Sequence, residues 1–148
     1  RYASVPGAEG LLARYLVPEP PVEFAPLIHC HASAAMDVSD GLVGDLRKMA
    51  TASGLEFELP ALAVPLSAAV GELVRRVGAW DVVLGGGDDY QLLFCVPDSG
   101  KKAFLQDAAS TGIAVTELCR AKAGSGDVRV LAPDVGTMLL EHGSYQHF

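Results

Sequence analysis

Ala32-Ser33-Ala34-Ala35-Met36-Asp37-Val38-Ser39-Asp40-Gly41-Leu42 changes pattern part-way along, and that change sets the fold class. Ala32 to Val38 is small and apolar and reads as a buried strand. From Leu42 the apolar positions take helical spacing, through Leu46, Met49, Ala50 and Ser53, and Gly54 closes the helix as a C-terminal breaker. A strand that passes through an acidic, glycine-containing turn into a helix is a building unit of layered α/β domains.

The flanking sequence repeats this alternation. Upstream, Leu11, Leu12, Tyr15 and Leu16 recur at helical spacing until Pro18-Glu19-Pro20-Pro21 stops them. Downstream, Leu55 to Leu59 alternates apolar and acidic residues, a half-buried strand ended by Pro60. Val70, Leu73, Val74 and Val77 predict a helix starting near Ser67. Tyr90 to Val96 is a nearly continuous apolar run and reads as a central strand. A third helix carries Phe104, Leu105, Ala108 and Ala109, with Asp98 or Ser99 as its cap. Ile113 to Leu118 and Val128 to Leu131 read as strands joined by the Gly124-Ser125-Gly126 turn. The expected fold is α/β (α+β), a layered mixed sheet with packed helices.

The 148 residues suit one domain, and 50% hydrophobic against 20% charged residues is a globular balance. A formal net charge of -7, with no compact basic stripe, argues against nucleic acid and anionic membrane as partners. A phosphorylated small molecule remains compatible if cations or backbone N–H groups bridge to it. No apolar run is long enough to span a bilayer and no signal-peptide pattern opens the chain, so a cytoplasmic location is expected. Three widely spaced cysteines, Cys30, Cys95 and Cys119, make no disulfide framework. His29-Cys30-His31 would put two histidines on one face if extended; with no third ligand nearby, a loop with incidental histidines is the preferred reading.

Chemistry concentrates in two turns. Where the first strand meets its helix, unpaired N–H groups and a partial positive charge favour anions. There Asp37 and Asp40 supply hard oxygen ligands suited to magnesium, Ser39 can donate to a phosphate, and Gly41 permits close approach to the backbone. Taken alone, Asp40 or Ser39 is an ordinary helix cap; two carboxylates, a hydroxyl and a glycine together exceed what a cap requires. The second turn is Gly85-Gly86-Gly87-Asp88-Asp89-Tyr90, which alone reads as a hairpin turn with solvated aspartates. Tyr145, beside Gly143, can stack on a flat heterocycle or simply anchor the tail. No activated-serine or cysteine–histidine arrangement and no Walker-type glycine loop is visible.

Three blocks in order carry a family resemblance: Met36-Asp37-Val38-Ser39-Asp40-Gly41-Leu42, then Gly86-Gly87-Asp88-Asp89-Tyr90-Gln91-Leu92-Leu93-Phe94, then Tyr145-Gln146-His147-Phe148. With the Arg14-Tyr15…Pro18-Glu19-Pro20 lead-in, they resemble the C-terminal half of the thiamine-monophosphate kinases, in the aminoimidazole-ribotide-synthetase-like superfamily, over essentially the whole chain. The resemblance implies that superfamily's C-terminal-domain fold, partly ferredoxin-like. It also implies a reaction in which ATP donates its γ-phosphoryl group to thiamine monophosphate, giving thiamine diphosphate and ADP, with magnesium as cofactor. Positioning and electrostatics would carry such a step.

By position, the resemblance implies Asp37 and Asp40 as magnesium ligands and Ser39, with Gly41, at ATP phosphate. It implies Asp88, Asp89 and Tyr145 as contacts to thiamine monophosphate. The sequence departs from the family's Gly-Gly-Glu-Asp-Tyr-Glu-Leu by carrying Asp88 and Gln91, and the shorter Asp88 would reach substrate less directly. The whole chain, 1–148, then corresponds to a single C-terminal domain, with 1–31 as a leading helix and linker region. An N-terminal ATP-binding domain in cis and a homodimer complete the expectation. The fragment by itself is expected to be inactive. Two other readings stay open: another ATP-dependent synthetase of the superfamily, and a non-catalytic ligand-binding or dimerisation module.

Overall fold

Pro18, Pro20 and Pro21 cannot continue a helix, and the first helix, α1 (Ala8–Leu16), stops just before them. The computed structural model describes residues 7–132 and 136–138. A 3₁₀ turn at Val22–Phe24 leads into α2 (Ala25–His31). Next come β1 (Ala34–Val38) and α3 (Leu42–Ser53), the strand–turn–helix unit expected from the sequence. Gly54 closes α3 at φ 63°, a left-handed cap whose N–H returns to the helix carbonyls. β2 (Leu55–Pro60) follows, then α4 (Ala68–Val77), where the Val70 N–H donates to Ser67 Oγ at 3.3 Å. The remaining described elements are α5 (Trp80–Gly85), β3 (Gln91–Cys95), α6 (Lys101–Thr111), β4 (Ala121–Ala123), β5 (Val128–Ala132) and β6 (Gly136–Met138).

The strands form two sheets. β1 pairs antiparallel with β3. The second sheet has the order β4-β2-β5-β6 and is mixed, with β2 parallel to β5 and the other pairs antiparallel. α3 packs against β1, β2 and β5 and so lies between the two sheets. Val43, Leu46 and Ala50 of α3 meet Phe57 and Leu59 of β2, Val130 of β5, and Val38 and Leu93 of the smaller sheet in one core. The opposite face of β1–β3 is covered by a second cluster. There Phe24, Phe94 and Phe104 stand 5.4–6.0 Å apart between ring centroids. Along β2, Phe57 and Leu59 point inward. Glu56 and Glu58 point out, where Arg129 donates to them at 3.0 and 2.6 Å. No helix among the described residues is long and apolar enough to cross a membrane.

Several expectations need correction. β3 is not central: among the described residues it pairs with β1 alone. Its apolar run arises because both faces are covered, Leu93 and Cys95 by the main core and Leu92 and Phe94 by the aromatic cluster. β1 is shorter than Ala32 to Val38, and Ala35 and Asp37 on it are exposed. Ile113 to Leu118 is not a strand. Ile113 and Val115 pack on the aromatic cluster and Leu118 on the main core from irregular backbone, and the strand before the Gly124 turn is β4. Gly100, not Asp98 or Ser99, is the cap residue of α6 and offers no side-chain cap, while Asp98 accepts from Arg120 at 3.4 Å.

His29-Cys30-His31 lies at the end of α2, neither extended nor a loop. Residues two apart on a helix are turned roughly 200° from each other, so the two histidines do not share a face. His31 sits 2.9 Å from Asp107 and edge-on to Phe104. α2 and α5 were not anticipated; both are short, of seven and six residues, which is too little for a periodic signal.

Candidate functional site

In the antiparallel β1–β3 pair, Asp37 stands opposite Leu92 and Val38 opposite Gln91. The turn leaving β1 and the turn entering β3 therefore lie at the same edge of the sheet. Backbone bonds extend the pairing beyond the strands: the Tyr90 N–H donates to the Val38 carbonyl at 2.8 Å and the Asp88 N–H to the Ser39 carbonyl at 2.9 Å. Side chains would not fit between these turns. Gly41 has φ 108°, and a Cβ built there would stand 2.6 Å from the Gly85 carbonyl oxygen. A Cβ on Gly87 would collide with the carbonyl of Ser39. The two glycine-containing motifs are thus complementary parts of one backbone contact.

Asp37, on β1, is exposed on the face opposite Val38. Ser39 and Asp40 are half-buried in the turn, and Gly41 is the residue that caps α3. The Asp45 carboxylate, wholly buried, accepts from the Ser39 N–H at 2.9 Å and the Asp40 N–H at 3.0 Å. Lys48 Nζ donates to Asp45 Oδ1 at 2.7 Å and also to Asp40 Oδ2. Hydrogen bonds to Asp40 first, and to Asp45 second, hold the Lys48 ammonium above its ordinary pKa.

On the facing turn, Asp88 and Tyr90 take left-handed backbone at φ 67° and 50°. Such conformations cost non-glycine residues about 1–3 kcal/mol each and persist only where surrounding contacts enforce them. Here the two N–H bonds to the β1 turn supply that enforcement. Tyr90 Oη donates to Asp88 Oδ1 at 3.4 Å. Partial desolvation pushes the Asp89 carboxyl above its usual range although much of its surface stays exposed, with the positive charge of Arg14 opposing and Asp88 adding to the rise.

Of the site residues expected from sequence, Asp37, Ser39, Asp40, Gly41, Asp88 and Asp89 therefore gather at one sheet edge. Tyr145 lies outside the described residues. Asp45 and Lys48 escaped the sequence reading, although Asp45 carries a visible signal. It falls on the apolar stripe of α3, between Leu42 and Leu46, where a charge needs a partner.

Among the described residues no group of three or more His, Cys, Asp or Glu side chains comes together to enclose a metal. Asp37 and Asp40 do offer carboxylate oxygens, the donor type that magnesium commonly takes one or two of alongside water and phosphate oxygens.

Residues 16–131 match the family described as AIR synthase related protein, C-terminal domain. The chain belongs to that family. The mixed sheet and packed helices described above are the α/β (α+β) fold expected from the sequence. This AIR synthase-related domain is 34% identical over 131 residues to the thiamine-monophosphate kinase of Caulobacter vibrioides, a match covering 85% of this chain and 37% of the relative. The chain thus spans under half the length of that relative. The crystal structure of thiamine-monophosphate kinase from Stenotrophomonas maltophilia K279a superposes with a TM-score of 0.71 at 36% identity, covering 79% of this chain and 37% of that one. A structure of AaThiL complexed with AMPPCP and TMP superposes with a TM-score of 0.73 at 30% identity, covering 97% of this chain and 42% of that one.

Proposed function

We propose that this domain is the C-terminal, substrate-facing part of an ATP- and magnesium-dependent thiamine-monophosphate kinase. The observation that carries the reading is the union of the two acidic turns, with Ser39 and Val38 accepting the backbone N–H groups of Asp88 and Tyr90. In this reading a turn suited to phosphate and metal stands beside one suited to substrate, as phosphoryl transfer between two bound phosphates requires. The similarity to enzymes named thiamine-monophosphate kinase, and to a structure holding AMPPCP and TMP, supports it.

In this reading Asp37 and Asp40 hold magnesium, and Ser39 with the backbone at Gly41 meets the nucleotide phosphates. Asp88 and Asp89, with Tyr145 from the C-terminal segment, receive thiamine monophosphate. Magnesium, when bound, neutralises charge on the transferring phosphoryl group. The chain's own residues orient the two phosphates; no covalent intermediate on the protein is needed. An N-terminal domain in cis supplies the remaining nucleotide contacts, the complete protein is a homodimer, and it works in the cytoplasm.

The test uses the longer protein. Asp40→Ala should lower turnover by more than the about 10–100-fold typical of residues that merely support a metal ligand, with the thermal midpoint little changed. The 148-residue chain alone should show no turnover. Unchanged activity in Asp40→Ala would remove the metal role, and robust turnover by the isolated chain would overturn the two-part site.

A further inference from the structure

Asp45 is the only charged side chain, among the described residues, that is buried from solvent. An isolated carboxylate would not be tolerated there, so its hydrogen bonds explain its presence. Its described bonds all come from the acidic turn or from the next turn of α3: Ser39 N–H at 2.9 Å, Asp40 N–H at 3.0 Å and Lys48 Nζ at 2.7 Å. Capping α3 does not account for this. The cap position is Gly41, and Asp45 reaches back beyond it to the two residues that precede it. One oxygen, Oδ2, takes both backbone N–H groups and so fixes the two peptide planes on which Ser39 and Asp40 hang. The other oxygen, Oδ1, takes Lys48, whose ammonium continues to the Asp40 carboxylate. Asp40 is thereby tied to Asp45 twice, by its backbone and by its side chain.

We infer that Asp45 is the positioning residue of the candidate site, holding the Ser39–Asp40 turn in ligand-binding geometry, with Lys48 extending that hold to the Asp40 carboxylate. The inference rests on the kinase reading for its consequence and on the hydrogen bonds alone for its geometry. An i,i+3 ion pair that only braces a helix surface needs neither partner buried, and Lys48 is itself half exposed. Here the carboxylate is sunk beneath the turn and its backbone partners belong to the residues proposed to meet metal and phosphate.

Asp45→Asn and Lys48→Met, each made in the longer protein, test this. Asp45→Asn keeps one oxygen for the turn but sets an amide NH₂ against Lys48. Lys48→Met leaves Asp45 intact and removes the ammonium that links it to the Asp40 side chain. The readouts are amide hydrogen exchange at Ser39 and Asp40, Mn²⁺ affinity by electron paramagnetic resonance, and kcat separately from KM. For Asp45→Asn the expected result is faster exchange at both amides, with Mn²⁺ affinity and kcat each lower by about 10–100-fold. KM for thiamine monophosphate should stay near wild type. For Lys48→Met, kcat should fall about tenfold while both amides stay protected. Wild-type Mn²⁺ affinity and kcat in folded Asp45→Asn would overturn the inference. If that variant does not fold, wild-type kcat in Lys48→Met overturns it instead. Should the unmutated protein neither bind Mn²⁺ nor turn over, the kinase reading is what fails. Amide exchange in Asp45→Asn then decides the geometry alone, with lost protection upholding the hold and retained protection overturning it.

Discussion

Gly87 and Asp89 show how little space separates structure from chemistry at this site. A methyl group on Gly87 meets the Ser39 carbonyl, a backbone atom that cannot swing aside, so Gly87→Ala must push the two turns apart. The expected cost is about 1–3 kcal/mol, measured as a shift in the urea midpoint, with loss of turnover in the longer protein. Asp89 makes a pH-dependent prediction. Its folded-state pKa is raised by partial desolvation, so its contribution, small because solvent still reaches the residue, is complete below the ordinary value of 3.8 and is lost as pH rises through the folded value. Asp89→Asn removes that loss. Thermal melts should show the variant gaining stability over wild type at about pH 7 and no such gain at about pH 3; an equal gain at both values would disprove the assignment.

At the scale of elements, the helices differ in how they are held. α3 is sandwiched between the sheets, whereas α4 has no fully buried residue and depends more on its own propensity and its Ser67 cap. Gly71 sits inside α4 with open space where a side chain would go. Gly71→Ala should therefore stabilise the protein by about 0.5–1 kcal/mol in urea unfolding, because alanine loses less backbone entropy on entering a helix. The contrast with Gly87→Ala is sharp: the same added methyl stabilises where nothing faces it and destabilises where backbone does. The β1–β3 pair contributes in another way. Its register sets which turn residues face each other, and a slip of one residue would carry Asp37 to the face packed on the main core.

Across the whole molecule, two clusters on opposite faces of β1–β3 connect the small sheet to the larger one and to α2 and α6. The thiols report on that packing. Cys30 is exposed, while burial pushes the Cys95 thiol up and carries Cys119 to about 11. At about pH 8 an alkylating reagent should label Cys30 quickly and the half-buried Cys95 and Cys119 much more slowly. Rapid labelling of Cys119 in the native protein, read by peptide mass, would contradict the described core.

What was legible from sequence was what local hydrogen bonding governs. α3 and α4, the Gly54 and Ser67 caps and the proline stop after α1 follow from bonds between residues three or four apart, so periodicity and cap residues announce them. The candidate residues Asp37, Ser39, Asp40 and Gly41 were legible for the same reason, since a strand-to-helix turn is itself local. What only the tertiary structure decided was non-local. Strand pairing placed β3 beside β1 and left 113–118 irregular, because apolar residues mark burial and not the neighbour that provides it. Close backbone contact joined Gly41 to Gly85 and Gly87 to Ser39, giving Asp88 and Asp89 a setting that their own turn does not define. Burial then turned Asp45 from one more acidic residue on a helix into the group that holds the turn.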